Sequence, residues 1–283
     1  MNLRQVLLNA RDILARSSID DASLEAEILL RHTLKISRTQ LYQELDAGIN
    51  KVDEKTYYRL VERRRQGEPT AYITGHREFY GLDFYVNRDV LIPRPESEFL
   101  VEKALEIARI RDLATMADIG TGCGTIAISL AKNLKGTKIY ATDLSLAALE
   151  VARGNCRRHG VIEKIEFLHG DMLETLPGPV DLIVANLPYV RESEIPDSGP
   201  LSFEPVLALN GGHDGTSMIN TLCNQAKDKL APSGCMLLEI GEGQADAVTD
   251  IISETFSSAR IETTVDYAGI ERVVGVYLTP SRA

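Results

Sequence analysis

From about residue 115 onward, short apolar runs and stretches of helical periodicity alternate, and this alternation leaves the chain few architectures. Apolar runs at about 115–119, 138–142, 165–168, 180–185, 235–240, 260–265 and 272–278 predict strands, with helical stretches at about 125–133, 145–159 and 216–231 between them. Strands that take turns with helices build an α/β sheet, doubly wound, with helices on both faces. The last two runs are separated only by Asp266-Tyr267-Ala268-Gly269-Ile270, too short for a crossover helix, so they predict an antiparallel hairpin closing the sheet.

The first stretch of about 70 residues reads differently, as helices only. Leu3, Val6, Leu7, Ala10 and Leu14 share one face of a first helix. Asp20 or Asp21 can cap a second, carried by Leu24, Ile28 and Leu29 to about Leu34, and Ser37 with Gln40 makes a capping box for a short third. A fourth starts at Asp53 and ends near Gly67, a residue suited to the left-handed position after a helix. Next, Phe79-Tyr80-Gly81-Leu82-Asp83-Phe84-Tyr85-Val86 alternates around a glycine as a β-hairpin would. Pro95 suits the first turn of another helix, with Glu96 and Glu98 at its positive end. The expected organisation is a helical domain over 1–74, a hairpin linker over 75–92 and an α/β domain over 93–283.

Composition narrows the function. The 283 residues carry a formal net charge of −10, which does not suit a protein gripping long stretches of phosphate backbone. Arg63-Arg64-Arg65 is one local basic patch, read as a solvated helix face. The four cysteines (Cys123, Cys156, Cys223 and Cys235) form no CxxC pair, so they are expected as reduced thiols of a cytoplasmic protein. The five histidines stand singly, so no metal site is expected, and no apolar run approaches membrane-spanning length.

Two loops carry the chemistry. The first predicted strand ends in Asp118-Ile119-Gly120-Thr121-Gly122-Cys123-Gly124 and leads into a helix, which gathers backbone N–H groups around a ligand at the carboxyl edge of the sheet. Such a loop can serve NAD, a nucleotide or S-adenosylmethionine, or be only a sharp turn. The spacing here is GxGxG, and Asp118 ahead of it could receive the ammonium of a methionine moiety, a group that nicotinamide cofactors lack. Asp143 follows the second strand, roughly 20 residues on, where an acid accepts ribose hydroxyls. After the third strand, Asp171 could meet an adenine amine and Met172 its ring, or the pair could be a turn cap and a core residue.

The second loop is Asn186-Leu187-Pro188-Tyr189, after the apolar run Val180–Ala185. Asn and Pro are common where strands turn, and the tetrapeptide alone need be nothing more. Placed after the fourth strand of a sheet with a cofactor loop after its first, it favours an acceptor site. The Asn186 side-chain oxygen and the Leu187 carbonyl could each accept one N–H of a planar NH2 group, Pro188 would hold residue 187 extended, and Tyr189 could pack on the acceptor. This chemistry is methyl transfer to an amide or amine nitrogen.

With these motifs the sequence resembles the release factor glutamine methyltransferases, the PrmC/HemK family. Similar stretches run from Asp21 to Leu34, Gly67 to Gly75, Glu78 to Gly81, Leu91 to Glu98 and Ser202 to Gly215, so the likeness covers nearly the whole chain. It implies a Rossmann-like seven-stranded methyltransferase sheet behind a small all-helical N-terminal domain. It also implies methyl transfer from S-adenosylmethionine, leaving S-adenosylhomocysteine, to the side-chain amide of the glutamine in the Gly-Gly-Gln loop of bacterial class I peptide-chain release factors. On that footing Gly120 to Gly124, Asp143, Met172 and Asn186 would bind the cofactor, beside Asp118 and Asp171 from the reading of the loops above, and Asn186 to Tyr189 the glutamine. The family's usual tetrapeptide is Asn-Pro-Pro-Tyr, and here Leu187 stands at its second position.

Three other readings compete. An enzyme methylating exocyclic amines of DNA or RNA bases uses a similar tetrapeptide, but must draw a base from its stack and hold phosphates, which the acidic charge and the lack of a basic tail disfavour. An NAD-dependent oxidoreductase needs a hydride-handling acid/base pair, for which no histidine or lysine has an evident place. A non-catalytic adaptor would have no use for an intact glycine loop with Asp143 and Asn186.

Overall fold

The computed structural model describes residues 1–279. Two compact units emerge, one of residues 1–76 with 197–203, the other of residues 77–196 with the described residues from 204 onward.

The first unit holds α1 (Leu3–Ala15), α2 (Ala22–Leu34), α3 (Arg38–Gln43), α4 (Lys51–Arg65) and α5 (Thr70–Thr74). Side-chain caps set several of the starts. Asn2 accepts from the Gln5 N–H at 3.0 Å, and Ser37 and Gln40 close the expected capping box at 3.2 and 2.8 Å. Asn50, three residues ahead of the expected Asp53, caps α4 by accepting from the Val52 and Asp53 N–H groups at 3.0 and 2.9 Å. Asp53 falls instead in the first turn, where its charge still suits the positive helix end. On α2 the buried stripe is Ala22, Ala26, Leu29 and Leu30, while Leu24 is exposed. The alanines let the neighbouring helices approach, and the buried Tyr57 hydroxyl donates to the Ala26 carbonyl at 3.0 Å. Gly67 takes the left-handed conformation at φ +95°, as expected. Arg63, Arg64 and Arg65 pair with Glu68, Glu25 and Glu62 at 2.6, 3.0 and 2.6 Å, so their charges are answered within the unit.

From Arg77 the second unit opens within the hairpin of β1 (His76–Phe79) and β2 (Leu82–Tyr85), turned through Tyr80 and Gly81, both at positive φ. Phe79 and Phe84 lie in its hydrophobic core, so the hairpin is built into this unit. Glu98, expected at a helix end, reaches back to accept from the Tyr80 N–H at 2.8 Å. A single turn, Pro95–Ser97, then leads into α6 (Glu98–Ile110). The remaining elements are β3 (Thr115–Ile119), α7 (Thr125–Asn133), β4 (Lys138–Asp143), α8 (Leu146–His159), β5 (Ile165–His169), β6 (Val180–Ala185), α9 (Ser217–Ala226), β7 (Leu230–Glu239), α10 (Ala245–Thr255), β8 (Arg260–Val265) and β9 (Glu271–Tyr277).

The sheet runs β5-β4-β3-β6-β7-β9-β8. Strands β3 to β7 are parallel, and β9 is antiparallel to both β7 and β8, the expected terminal hairpin. One face packs α6, α7, α8 and the hairpin phenylalanines, the other α9 and α10. Chain order reverses between β3 and β6, which opens a crevice at their carboxyl ends. Two details differ from expectation. Helix α9 ends at Ala226, because β7 begins at Leu230 and pairs irregularly with β6 between Val180 and Leu182 before Cys235 restores the register. Helix α10 was not expected, since its buried stripe is only Ala245, Val248 and Ile252, too sparse to stand out in the sequence. Among the described residues no helix is long and apolar enough to cross a membrane, and no group of three or more His, Cys, Asp or Glu side chains could hold a metal ion.

Candidate active site

At the crevice the ends of four parallel strands converge. A cleft there is lined by Gly120 and Gly122 after β3, Asp143 after β4, Asp171 and Met172 after β5, and Asn186, Leu187 and Pro188 after β6. Asp89, Val90 and Leu91 close one side of it, and Pro205, Leu207, Ala208 and Met218 another. Glu204 ties two of these walls together, accepting from the Ile92 N–H at 3.1 Å and pairing with Arg94.

The glycine loop has the conformation its sequence suggests. Gly120, Gly122 and Gly124 all have positive φ, at +70°, +55° and +86°. A Cβ on Gly124 would stand 2.9 Å from Ile128 Cδ1, and one on Gly120 would stand 3.4 Å from Leu187 Cδ2. The glycine loop and the tetrapeptide are therefore neighbours, with the buried Leu187 side chain over Gly120. Four candidates lie behind the loop rather than on the cleft. Thr121 spends its hydroxyl on Asp118 at 2.7 Å, and Cys123 is buried, its thiol pushed up to about 12 by burial and its carbonyl held by the Asn155 amide at 2.9 Å. Gly124 begins α7.

Asp118 is the fourth, and it differs from the others. It is 2% exposed, and its Oδ2 accepts from Thr121 and from the Ala127 N–H at 3.1 Å. Its Oδ1 is buried with no partner among the described residues. Burial pushes its pKa up to about 6. Among the described residues no counter-charge stands beside it, so a cation brought near the loop would favour its ionised form. Asp143 is oriented by two backbone N–H groups, Gly122 at 2.9 Å and Ser145 at 2.8 Å, and burial raises its pKa as well. Each of its oxygens has a lone pair left for a hydroxyl. Met172 adopts φ +48°, uncommon for a side chain of its kind, and the preceding Gly170 admits no Cβ because Thr175 fills the space. The glycine-cradled cleft, with Asp143, Asp171 and Met172 on its lining and Asp118 behind the loop, thus fits a ligand bearing a diol and an aromatic ring.

Asn186 donates through Nδ2 to Ser97 Oγ at 2.9 Å, while no protein group occupies its Oδ1 among the described residues. Tyr189 is outside the cleft lining, its ring over Gly241, its carbonyl held by Gln244 Nε2 at 3.0 Å, and its hydroxyl pushed up to about 12 by burial and by Glu239. Ser97, Glu239, Gln244 and Arg272 gather beside the tetrapeptide although the sequence reading did not select them. Glu239 could have been noticed as an acid ending an apolar strand, the same pattern that singled out Asp143.

A parallel sheet with a glycine loop after its first strand, an acid after its second and Asn-x-Pro-Tyr after its fourth defines a methyltransferase of the Rossmann-like class. A family model described as "PrmC N-terminal domain" matches residues 5–75, and one described as "Methyltransferase small domain" matches residues 96–198. The release factor glutamine methyltransferase of Moorella thermoacetica is 39% identical over 279 residues, 98% of this chain and 99% of the relative. That of Bordetella pertussis is 39% identical over 271 residues, 95% and 98% of the two chains. The chain belongs to the release factor glutamine methyltransferase family. A crystal structure of a methyltransferase from Pyrococcus furiosus shares the fold, with a TM-score of 0.52 over 70% of this chain and 89% of that one at 19% identity.

Proposed function

We propose that this protein methylates the side-chain amide nitrogen of the glutamine in the Gly-Gly-Gln loop of class I release factors, using S-adenosylmethionine and releasing S-adenosylhomocysteine. The observation that carries this reading is relatedness over almost the full length of both chains, joined to an Asn186 oxygen left free at the cleft. The bound cofactor would supply a methyl group on a positively charged sulfur, an electrophile strong enough that positioning the acceptor provides much of the rate.

Asp118 would take the ammonium of the methionine moiety, directly or through water, and Asp143 the ribose hydroxyls. Asp171 and Met172 would meet the adenine. Asn186 Oδ1 and the Leu187 carbonyl would each accept one hydrogen of the glutamine NH2. The amide nitrogen is a poor nucleophile because its lone pair is delocalised, and two acceptors on its hydrogens favour the positive charge that builds on it during attack. Tyr189 would pack near the acceptor group. No strong base is required, since the nitrogen becomes acidic once methylated. The helical unit, residues 1–74 in the sequence reading, would recognise the release factor, with the hairpin leading to the catalytic part. A translation factor as substrate places the reaction in the cytoplasm. The acidic chain, with its arginine run already paired, does not favour a lasting grip on nucleic acid.

Leu187 tests how the tetrapeptide works. Its N–H donates no hydrogen bond among the described residues, so a proline would forfeit none. Leu187→Pro is expected to keep activity within a few-fold in a labelled methyl-transfer assay. A collapse of turnover with the cofactor still bound would show that the carbonyl at 187 is not the second acceptor. The function itself is tested by mass spectrometry of the release factor's Gly-Gly-Gln peptide, from cells with and without this protein. One methyl on glutamine should be present only with it, and labelling of nucleic acid instead would overturn the reading.

A further inference from the structure

Beside Asn186 stands an acid that no step above uses. Strands β6 and β7 run parallel with Ala185 opposite Leu238, so the next residues, Asn186 and Glu239, are neighbours at the carboxyl edge of the sheet. Glu239 is 1% exposed, and its Oε2 has no hydrogen-bond partner among the described residues. Ser97, 4% exposed on the turn before α6, meets the Asn186 amide from above at 2.9 Å. The groups facing Glu239 are Ser97 and Glu96 from that turn, Asn186 and Tyr189 from the tetrapeptide, and Arg272 from the start of β9. Burial and Glu96 oppose its charge while Ser97, Arg272 and Asn186 favour it, and the pKa is pushed up to about 7.

We propose that Glu239 is a positioning residue that locks the Asn186 amide with Nδ2 turned inward and Oδ1 turned to the cleft. This rests on the amide-methylating reading, in which an NH2 group must find an oxygen there. A serine hydroxyl cannot set that orientation, because it donates or accepts equally well, and the flipped amide would present NH2 to NH2. An ionised carboxylate only accepts, so Glu239 removes the ambiguity. Protonated, it can donate as well as accept, and the lock is lost. Methyl transfer at saturating substrates therefore rises with pH as Glu239 ionises.

The test begins without substrate. In protein labelled with 15N at asparagine, the Asn186 side-chain amide is assigned by its disappearance in Asn186→Asp and followed across neutral pH. It should titrate with a midpoint near 7 in the wild type and not in Glu239→Gln. An Asn186 amide that does not titrate, or one that titrates unchanged in Glu239→Gln, overturns the proposal. Should that variant fail to fold, Ser97→Ala decides: the amide still titrates if Glu239 holds it, and stops if the hydroxyl alone did. With release factor as substrate, Glu239→Gln should lower kcat at least about tenfold and flatten its pH dependence, with cofactor affinity kept. Glu239→Asp should restore the rising limb. A purely structural role would lower the rate equally at every pH. Failure of the wild type to methylate release factor would end the functional reading, while the amide titration still decides this one.

Discussion

Asn186→Ala should lower kcat for release factor methylation by about 10²–10³-fold while leaving the affinity for S-adenosylmethionine within a few-fold of wild type. The substitution removes one of two acceptors that orient the glutamine NH2 and stabilise the charge developing on its nitrogen. The remaining partners of the cavity, Ser97 Oγ and Glu239, would be left without the amide that joins them, but neither reaches the cleft lining. Calorimetry for the cofactor and a single-turnover assay for transfer separate the two effects. Asn186 also counts among the cofactor-binding candidates by resemblance, so the comparison is a real choice. Losses of equal size in affinity and turnover would mean that it serves the cofactor first.

Asp118→Asn should move stability and affinity in opposite directions. In the ligand-free protein Asp118 is a buried carboxylate with one oxygen unpaired and no cation beside it. Its folded pKa of about 6 lies above the ordinary 3.8, so the folded state binds the proton more tightly than the unfolded chain. Stability from this group is therefore greatest below pH 3.8 and falls as pH rises through about 6, a loss of about 3 kcal/mol at 1.36 kcal/mol per unit. The asparagine variant should escape that loss and show a higher Tm than wild type at neutral pH without ligand. It should also bind S-adenosylmethionine roughly 10- to 100-fold more weakly, the worth of a charge-assisted hydrogen bond. Denaturation followed with and without cofactor reads both. A variant no more stable than wild type, yet binding normally, would remove Asp118 from the site.

The middle of the sheet was legible because β3, β6 and the second half of β7 are buried on both faces and read as apolar runs. Strands β3 and β6 fall where the runs at 115–119 and 180–185 placed them. Helix α10 was not legible, because a short helix on a sheet buries only three residues and leaves no strong period. Capping explains another difference. Asn50 and Asp53 are both good helix starters, and only the geometry shows that Asn50 accepts the two N–H groups. At the site, Gly120, Gly122, Asp143 and Asn186, singled out in the sequence from their spacing after strands, line the cleft. Thr121 and Cys123 were carried along with the loop although their side chains face away from it. Ser97, Glu239 and Arg272 could not be found that way, because they come from three distant parts of the chain and converge only when the sheet is ordered.

The direction of β9 has a consequence for the surroundings of Asn186. Parallel strands deliver only their last residues to the working edge of such a sheet. Because β9 runs the opposite way, its first residues arrive there, and the Ile240 N–H donates to the Arg272 carbonyl at 2.9 Å beside the end of β7. The hairpin turn before it anchors that arginine through Asp266 at 3.0 Å. A reversed final strand thereby sets a fixed guanidinium among Glu96, Glu239 and Tyr189, tempering a cluster of acids that would otherwise repel one another.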